Sequence, residues 1–190
     1  MTFTREGMEM ISMRTKPIVT VLLMLASVGA AQTPVRPDVW QPFKYFVGSW
    51  EGTGNGQPGV SKTERDYRFV LKSQFLHIQN RSAYDPQPKN PKGEVHEDWG
   101  LMSFDKTRKK FVLRQFHVEG FVSEYVMSSS SADGKTIVFT TESIENIPAG
   151  WRARETYKIL GTDQFVEVFE LAEPGKDFEL YSENHYRRKK

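Results

Sequence analysis

From residue 48 onward, polar and apolar residues alternate with a period of two, the period at which a strand's side chains change face. Turn residues interrupt the alternation, and no stretch after residue 48 shows the spacing of an amphipathic helix. The pattern predicts about ten strands. The first is Gly48–Gly56, and the next two cover 60–72 and 74–84. A connection at 85–93 follows, where three prolines remove backbone donors and favour an extended form. Strands four to six are expected at 94–104, 109–118 and 121–127, the sixth ending in a polar Ser128–Ser131 loop. The last four are expected at 135–144, 151–160, 164–172 and 177–187. Ten strands joined by short turns suit an all-β, antiparallel up-and-down barrel, because closure removes the edges of an open meander. A two-sheet sandwich would need long crossovers, and only the 85–93 connection could supply one.

The stretch Gly48-Ser49-Trp50-Glu51-Gly52-Thr53-Gly54-Asn55-Gly56 organises the rest. Glycine weakens a strand, so four alternating glycines imply sharp coiling or close approach by another backbone or a ligand. The apolar segment Val39–Val47 just before it is expected to form a short helical plug at one end of the barrel. Phe43 and Phe46 from that plug are expected to cover Trp50, whose neighbours Gly48 and Gly52 leave room on the same face.

Alternation also assigns faces. In the fifth strand Phe111, Leu113, Gln115 and His117 share one face. In the eighth, Trp151, Ala153, Glu155, Tyr157 and Ile159 oppose Arg152, Arg154 and Lys158, which points the first set inward. Glu155 among aromatic residues needs a partner or a shifted pKa. It is either a polar anchor for a ligand or half of a structural ion pair.

Length and composition narrow the setting. The chain has 190 residues, 38% of them apolar, which suits one domain with a substantial core. A formal charge of +2 gives no case for nucleic-acid binding. With no cysteine, disulfides, thiolate metal sites, a cysteine nucleophile and a cysteine-linked lipoprotein anchor are all excluded. Arg14 and Lys16 precede the apolar run Ile18–Val28, and Gly29-Ala30-Ala31 supplies small residues for cleavage. Residues 1–31 are therefore read as a signal peptide, 32–39 as a linker and 40–190 as the barrel domain. Glu6 and Glu9 are unusual in a signal's first segment, which makes Met13 an alternative start. The apolar run is shorter than the roughly 20 residues that cross a bilayer. The expected product is exported, periplasmic or secreted, with no integral membrane segment after cleavage.

No arrangement of catalytic residues stands out. Of the histidines His77, His96, His117 and His185, none forms a His-Glu-x-x-His pair. His77, His96 and His117 lie on three successive strands, where they either meet as a metal site or stand apart as surface residues. There is no Gly-x-Ser-x-Gly elbow and no phosphate-cradling loop ahead of a helix. The basic end Arg187-Arg188-Lys189-Lys190 reads as a frayed, solvated terminus.

The opening Gly-x-Trp-x-Gly-x-Gly-x-Gly strand and the segment His96-Glu97-Asp98-Trp99-Gly100 resemble the nitrobindin-like haem-binding barrels, a branch of the calycins. Uncharacterised lipocalin-like domains are similar as well. The resemblance implies a ten-stranded barrel. For the characterised members it also implies a ferric haem held by a histidine on the last strand, with nitric oxide or peroxynitrite as the reactant. The matching place, counted back from Tyr186-Arg187-Arg188, falls at Tyr181, and His185 lies four residues further on. Either could ligate iron; alternatively Leu180, Ser182, Asn184 and Tyr186 form the inward row and His185 faces solvent.

Three functions are consistent with these residues. The first is an exported, non-catalytic barrel that binds a small apolar or amphipathic ligand, with an unidentified cofactor if any. Its candidate ligand-binding residues are Trp50, His96, Trp99, Gln115, His117, Glu155, Tyr157 and Tyr181. The alternative is a haem protein of the nitrobindin kind, with His185 as the metal ligand. The third is a stable body for protein–protein interaction.

Overall fold

A computed structural model describes residues 38–190, so the expected signal segment and most of the linker lie outside the described residues. The alternating runs form ten strands: β1 (Gly48–Gly56), β2 (Gly59–Val70), β3 (Phe75–Tyr84), β4 (Glu94–Asp105) and β5 (Lys110–His117), then β6 (Val122–Ser130), β7 (Thr136–Glu145), β8 (Arg152–Ile159), β9 (Gln164–Ala172) and β10 (Glu179–Arg188). Each strand pairs antiparallel with its neighbours in the chain, and β1 pairs with β10 to close the barrel. Closure leaves no sheet edge with unpaired backbone groups. Among the described residues no helix is long and apolar enough to cross a membrane.

Most strand ends fall within two residues of expectation; two ends and the basic terminus differ in ways the structure explains. β2 stops at Val70, because Leu71, Lys72 and Ser73 adopt positive φ (49°, 56° and 59°) and reverse the chain there. Ser128, Ser129 and Ser130 belong to β6 rather than to a loop, and the register shifts between Glu124 and Tyr125 and between Met127 and Ser129. Such bulges let a strand continue where simple alternation breaks down. The basic end is partly anchored. Arg188 donates to the carbonyls of Val47 (2.7 Å) and Tyr45 (2.6 Å), and the Lys189 amide donates to Ser49 O (2.9 Å).

One glycine explains the opening strand. A Cβ at Gly52 would overlap the backbone carbonyl of His185 in β10, so only glycine lets these strands approach so closely. Two residues earlier, Trp50 points inward and is fully buried. Its indole Nε1 donates to Phe46 O (2.7 Å), its ring meets Phe165 edge-on at 4.8 Å, and the Arg188 guanidinium lies 4.1 Å from its centroid.

Phe46 belongs to a 3-10 turn, Gln41–Phe46, with Pro42 in its first turn, that enters one end of the barrel. Phe43 packs on Phe111 (4.6 Å between centroids) and Phe46 on Phe165 (5.2 Å), making that half a close-packed aromatic core. The opposite end, where the β1–β2, β3–β4, β5–β6, β7–β8 and β9–β10 turns lie, is where the barrel opens.

Candidate functional site

Period-two alternation carries the inward rows from the aromatic end into a polar middle and then to the mouth. On β2 the outward row Lys62, Glu64, Asp66 and Arg68 is charged throughout. That leaves Thr63, Arg65 and Tyr67 facing in. On β9 Glu167 alternates with the inward Phe165. Arg65 and Glu167 thus meet inside the barrel at 2.6 Å, each side chain only 4% exposed. Arg65 Nε also donates to Asn80 Oδ1 (3.2 Å), Asn80 Nδ2 to Asp98 Oδ2 (2.8 Å), and Asn184 Nδ2 to Glu167 Oε2 (3.1 Å). Charges and amides drawn from β2, β3, β4, β9 and β10 make one network across the barrel. Burying charges this deeply is costly unless they are paired and hydrogen-bonded, and this network supplies that pairing.

This network floors a cavity of about 580 Å³ that opens at the mouth. Arg65, Asn80, Asp98, Gln115, Glu155 and Glu167 contribute to the floor. Phe121, Ile147, Trp151, Phe169, Leu171 and Tyr181 give the upper wall an apolar lining. The volume lies within the range usual for small-molecule sites.

Electrostatics divide the floor into distinct roles. Burial, reinforced by the nearby Glu167 carboxylate, pushes Glu155 up to about 8, so its carboxyl is protonated at neutral pH. Tyr157 donates a 2.5 Å hydrogen bond to it from below. At the rim, burial opposes charge on His96, but the hydrogen bonds it donates to the Asp98 and Glu119 carboxylates outweigh that and raise the imidazole to about 9. Its Nδ1 lies 2.8 Å from Glu119 Oε1, and its Nε2 lies 3.5 Å from Asp98 Oδ2. His117 is shifted the other way: burial lowers it, and its ring stacks on Phe121 at 4.0 Å. Several buried atoms have no partner: Asp98 Oδ1, Gln115 Oε1 and both ring nitrogens of His117.

The cavity gathers His96, Gln115, His117, Glu155 and Tyr181 from the nine residues nominated by sequence. Tyr181 gets there through a bulge. The β9–β10 register shifts between Leu180 and Ser182, so Tyr181 and Ser182 both line the cavity despite being adjacent. The other four lie elsewhere. Trp50 sits in the aromatic end, and Tyr157 packs there against Phe46 and Phe139 with only its hydroxyl directed to Glu155. Trp99 is 59% exposed and meets His77 on the outer wall at 5.7 Å. It is three residues from His96, an odd spacing that puts the two on opposite faces of β4. With His77 outside, the three strand histidines do not meet.

His185 is also outside the barrel, 58% exposed and bonded to Glu183 (2.6 Å). Ser182, Asn184 and Tyr186 take the inward positions of β10. A haem in the cavity therefore cannot be ligated by His185. Tyr181 does line the cavity, where burial and the nearby Tyr84 and Glu94 raise its phenol. Of the two residues nominated as iron ligands, only Tyr181 lines the cavity.

Sequence reasoning missed Arg65, Asn80, Asp98, Glu167 and Asn184. Arg65, Glu167 and Asn184 carried a readable signal, since each alternates with an aromatic residue on its inward row.

No protein-family model and no curated protein matches the chain. Among solved structures it is similar to Rv2717c from M. tuberculosis, with a TM-score of 0.63 and 18% identity over 81% of this chain and 99% of that one. It is also similar to the S-type phycobiliprotein lyase CPES from Guillardia theta, with a TM-score of 0.52 and 17% identity over 82% of this chain and 94% of that one. These likenesses and the closed ten-stranded barrel define a calycin-like, lipocalin-like fold. At these identities the likeness is one of fold.

Proposed function

We propose that the protein is a binding barrel that holds one small amphipathic molecule without transforming it. The observation that carries this reading is the polarity of the cavity. Apolar side chains line its upper wall beside the His96–Glu119 cluster, while Asp98 Oδ1 and Gln115 Oε1 on the floor are buried acceptors without partners. A buried acceptor left unpaired costs roughly 1–3 kcal/mol, so a ligand whose inner end donates hydrogen bonds is favoured at that depth. Such a ligand is a hydroxyl-, amine- or amide-bearing molecule with an aromatic or aliphatic body. The calycin-like fold supports the reading, and one protein of similar fold is described as an S-type phycobiliprotein lyase. The sequence adds export to the proposal, through the basic, apolar and small-residue segments of 1–31.

N-phenyl-1-naphthylamine, an uncharged probe with one N–H donor and an apolar body, tests it. We expect saturable one-to-one fluorescence enhancement that Ala153→Phe abolishes by filling the cavity. Ala153 lines the cavity and is buried, so its replacement acts on the cavity volume directly. Binding that is absent, or unchanged in a folded Ala153→Phe variant, would rule the cavity out. Mass spectrometry of the natively purified protein identifies the natural ligand, and N-terminal sequencing of exported protein tests cleavage after residue 31.

A further inference from the structure

We propose that His96, His117 and Glu119 form a divalent transition-metal site at the cavity mouth, with zinc as its natural probe. The site goes beyond the ligand-binding proposal and stands independently of what occupies the cavity.

The barrel's registration brings the three together. His117 pairs with Asp98 across β4 and β5, which puts inward-facing His96 diagonally next to it, closer to the mouth. The two imidazole centroids are 5.6 Å apart. Glu119 sits in the β5–β6 turn, which two backbone bonds hold: Gly120 N to His117 O (2.8 Å) and Val118 N to Glu97 O (3.0 Å). The second of these ties the turn to β4, so the carboxylate returns over the two histidines. One potential ligand atom from each of the three lies within 4.8 Å of the others. Zinc bonds of about 2.0–2.1 Å separate tetrahedral ligands by about 3.4 Å, a distance that small side-chain rotations at the mouth can close.

Two further features point to a bound ion. An ion-pair role accounts for His96, held between Asp98 and Glu119, but not for His117. Both ring nitrogens of His117 are buried without a partner, although Phe121 fixes the plane of the ring. A metal takes a lone pair of that imidazole directly. Beyond the ligands, Asp98 lies 3.5 Å from His96 Nε2 and is anchored by Asn80, the carboxylate–histidine arrangement that orients a metal-binding ring. Two imidazoles and one carboxylate, with no thiolate, select first-row transition ions over calcium or magnesium. Three protein ligands also leave at least one coordination position open.

The test uses the full chain, treated with chelator, dialysed, and titrated with zinc by calorimetry and with cobalt(II) by absorption. We expect one zinc per chain and a tetrahedral cobalt spectrum. His117→Ala should weaken zinc by more than the roughly 10–100-fold that loss of an outer-shell partner costs. Glu119→Gln, on an exposed turn that the fold tolerates, serves as the second variant and should weaken zinc and erase the tetrahedral spectrum. His77→Ala and His185→Ala, both on the outer wall, should leave affinity unchanged. The proposal is overturned by no saturable binding, by binding that survives Glu119→Gln unaltered, or by binding that depends on His185. Probe binding in the cavity, measured on the same variants, reports separately on the ligand-binding reading.

Discussion

Replacing Glu155 by glutamine should make the protein more stable, and increasingly so as pH rises. Glu155 is enclosed by β8, β9 and the floor network, with Glu167, Asp98 and Arg65 as the charged groups and Tyr157 as its hydrogen-bond donor. Burial and Glu167 raise it from 4.5 to about 8. Below 4.5 the folded and unfolded chains both carry the proton, and Glu155 does not affect stability. Between 4.5 and 8 the folded chain holds a proton that the unfolded chain releases, so stability falls as pH rises; above 8 the full penalty is in place. At about 1.4 kcal/mol per unit, the two and a half units from 4.5 to pH 7 amount to about 3 kcal/mol. Glutamine keeps an oxygen to accept from Tyr157 and never ionises. Urea unfolding of both proteins at pH 5, 6, 7 and 8 measures the difference. The variant's advantage should grow by about 3–4 kcal/mol across that range, whereas a difference constant with pH would refute the assignment.

Trp50→Ala empties a fully buried site and orphans the Phe46 carbonyl, so a cost of about 3–5 kcal/mol should appear as a sharply lower denaturation midpoint. Arg65→Met should cost about 3–5 kcal/mol by leaving Glu167 unpaired, while Arg65→Met with Glu167→Leu should recover most of it in the same measurement. Gly52→Ala should destabilise more than Gly54→Ala in thermal unfolding. At Gly52 the new methyl meets the immovable His185 carbonyl, whereas at Gly54 it meets only the side-chain ends of Asn184 and Ser61. If the two glycine variants melt alike, strand proximity is not what requires glycine at 52.

The local pattern of this sequence was enough to reveal the strands and their order. Antiparallel neighbours follow from short turns, and the face of each residue follows from a period of two that the backbone imposes whatever the partner strand is. That is why Gln115, His117 and Glu155 could be placed inward from their own strands alone. The same rule, applied strictly, would have separated Trp99 from His96. Tyr181 was nominated through the family resemblance, but its inward place beside Ser182 depends on a bulge, which is set by how β9 and β10 meet and not by either strand alone. The floor network likewise depends on register: Arg65 and Glu167 are 102 residues apart, and nothing local shows that closing β1 onto β10 brings them within 2.6 Å. His96, His117 and Glu119 became a cluster for the same reason, through the diagonal offset of two paired strands and a turn pinned across them. Which residues face inward is a property of each strand. Which inward residues meet is a property of the closed barrel, because only closure fixes the shear between strands.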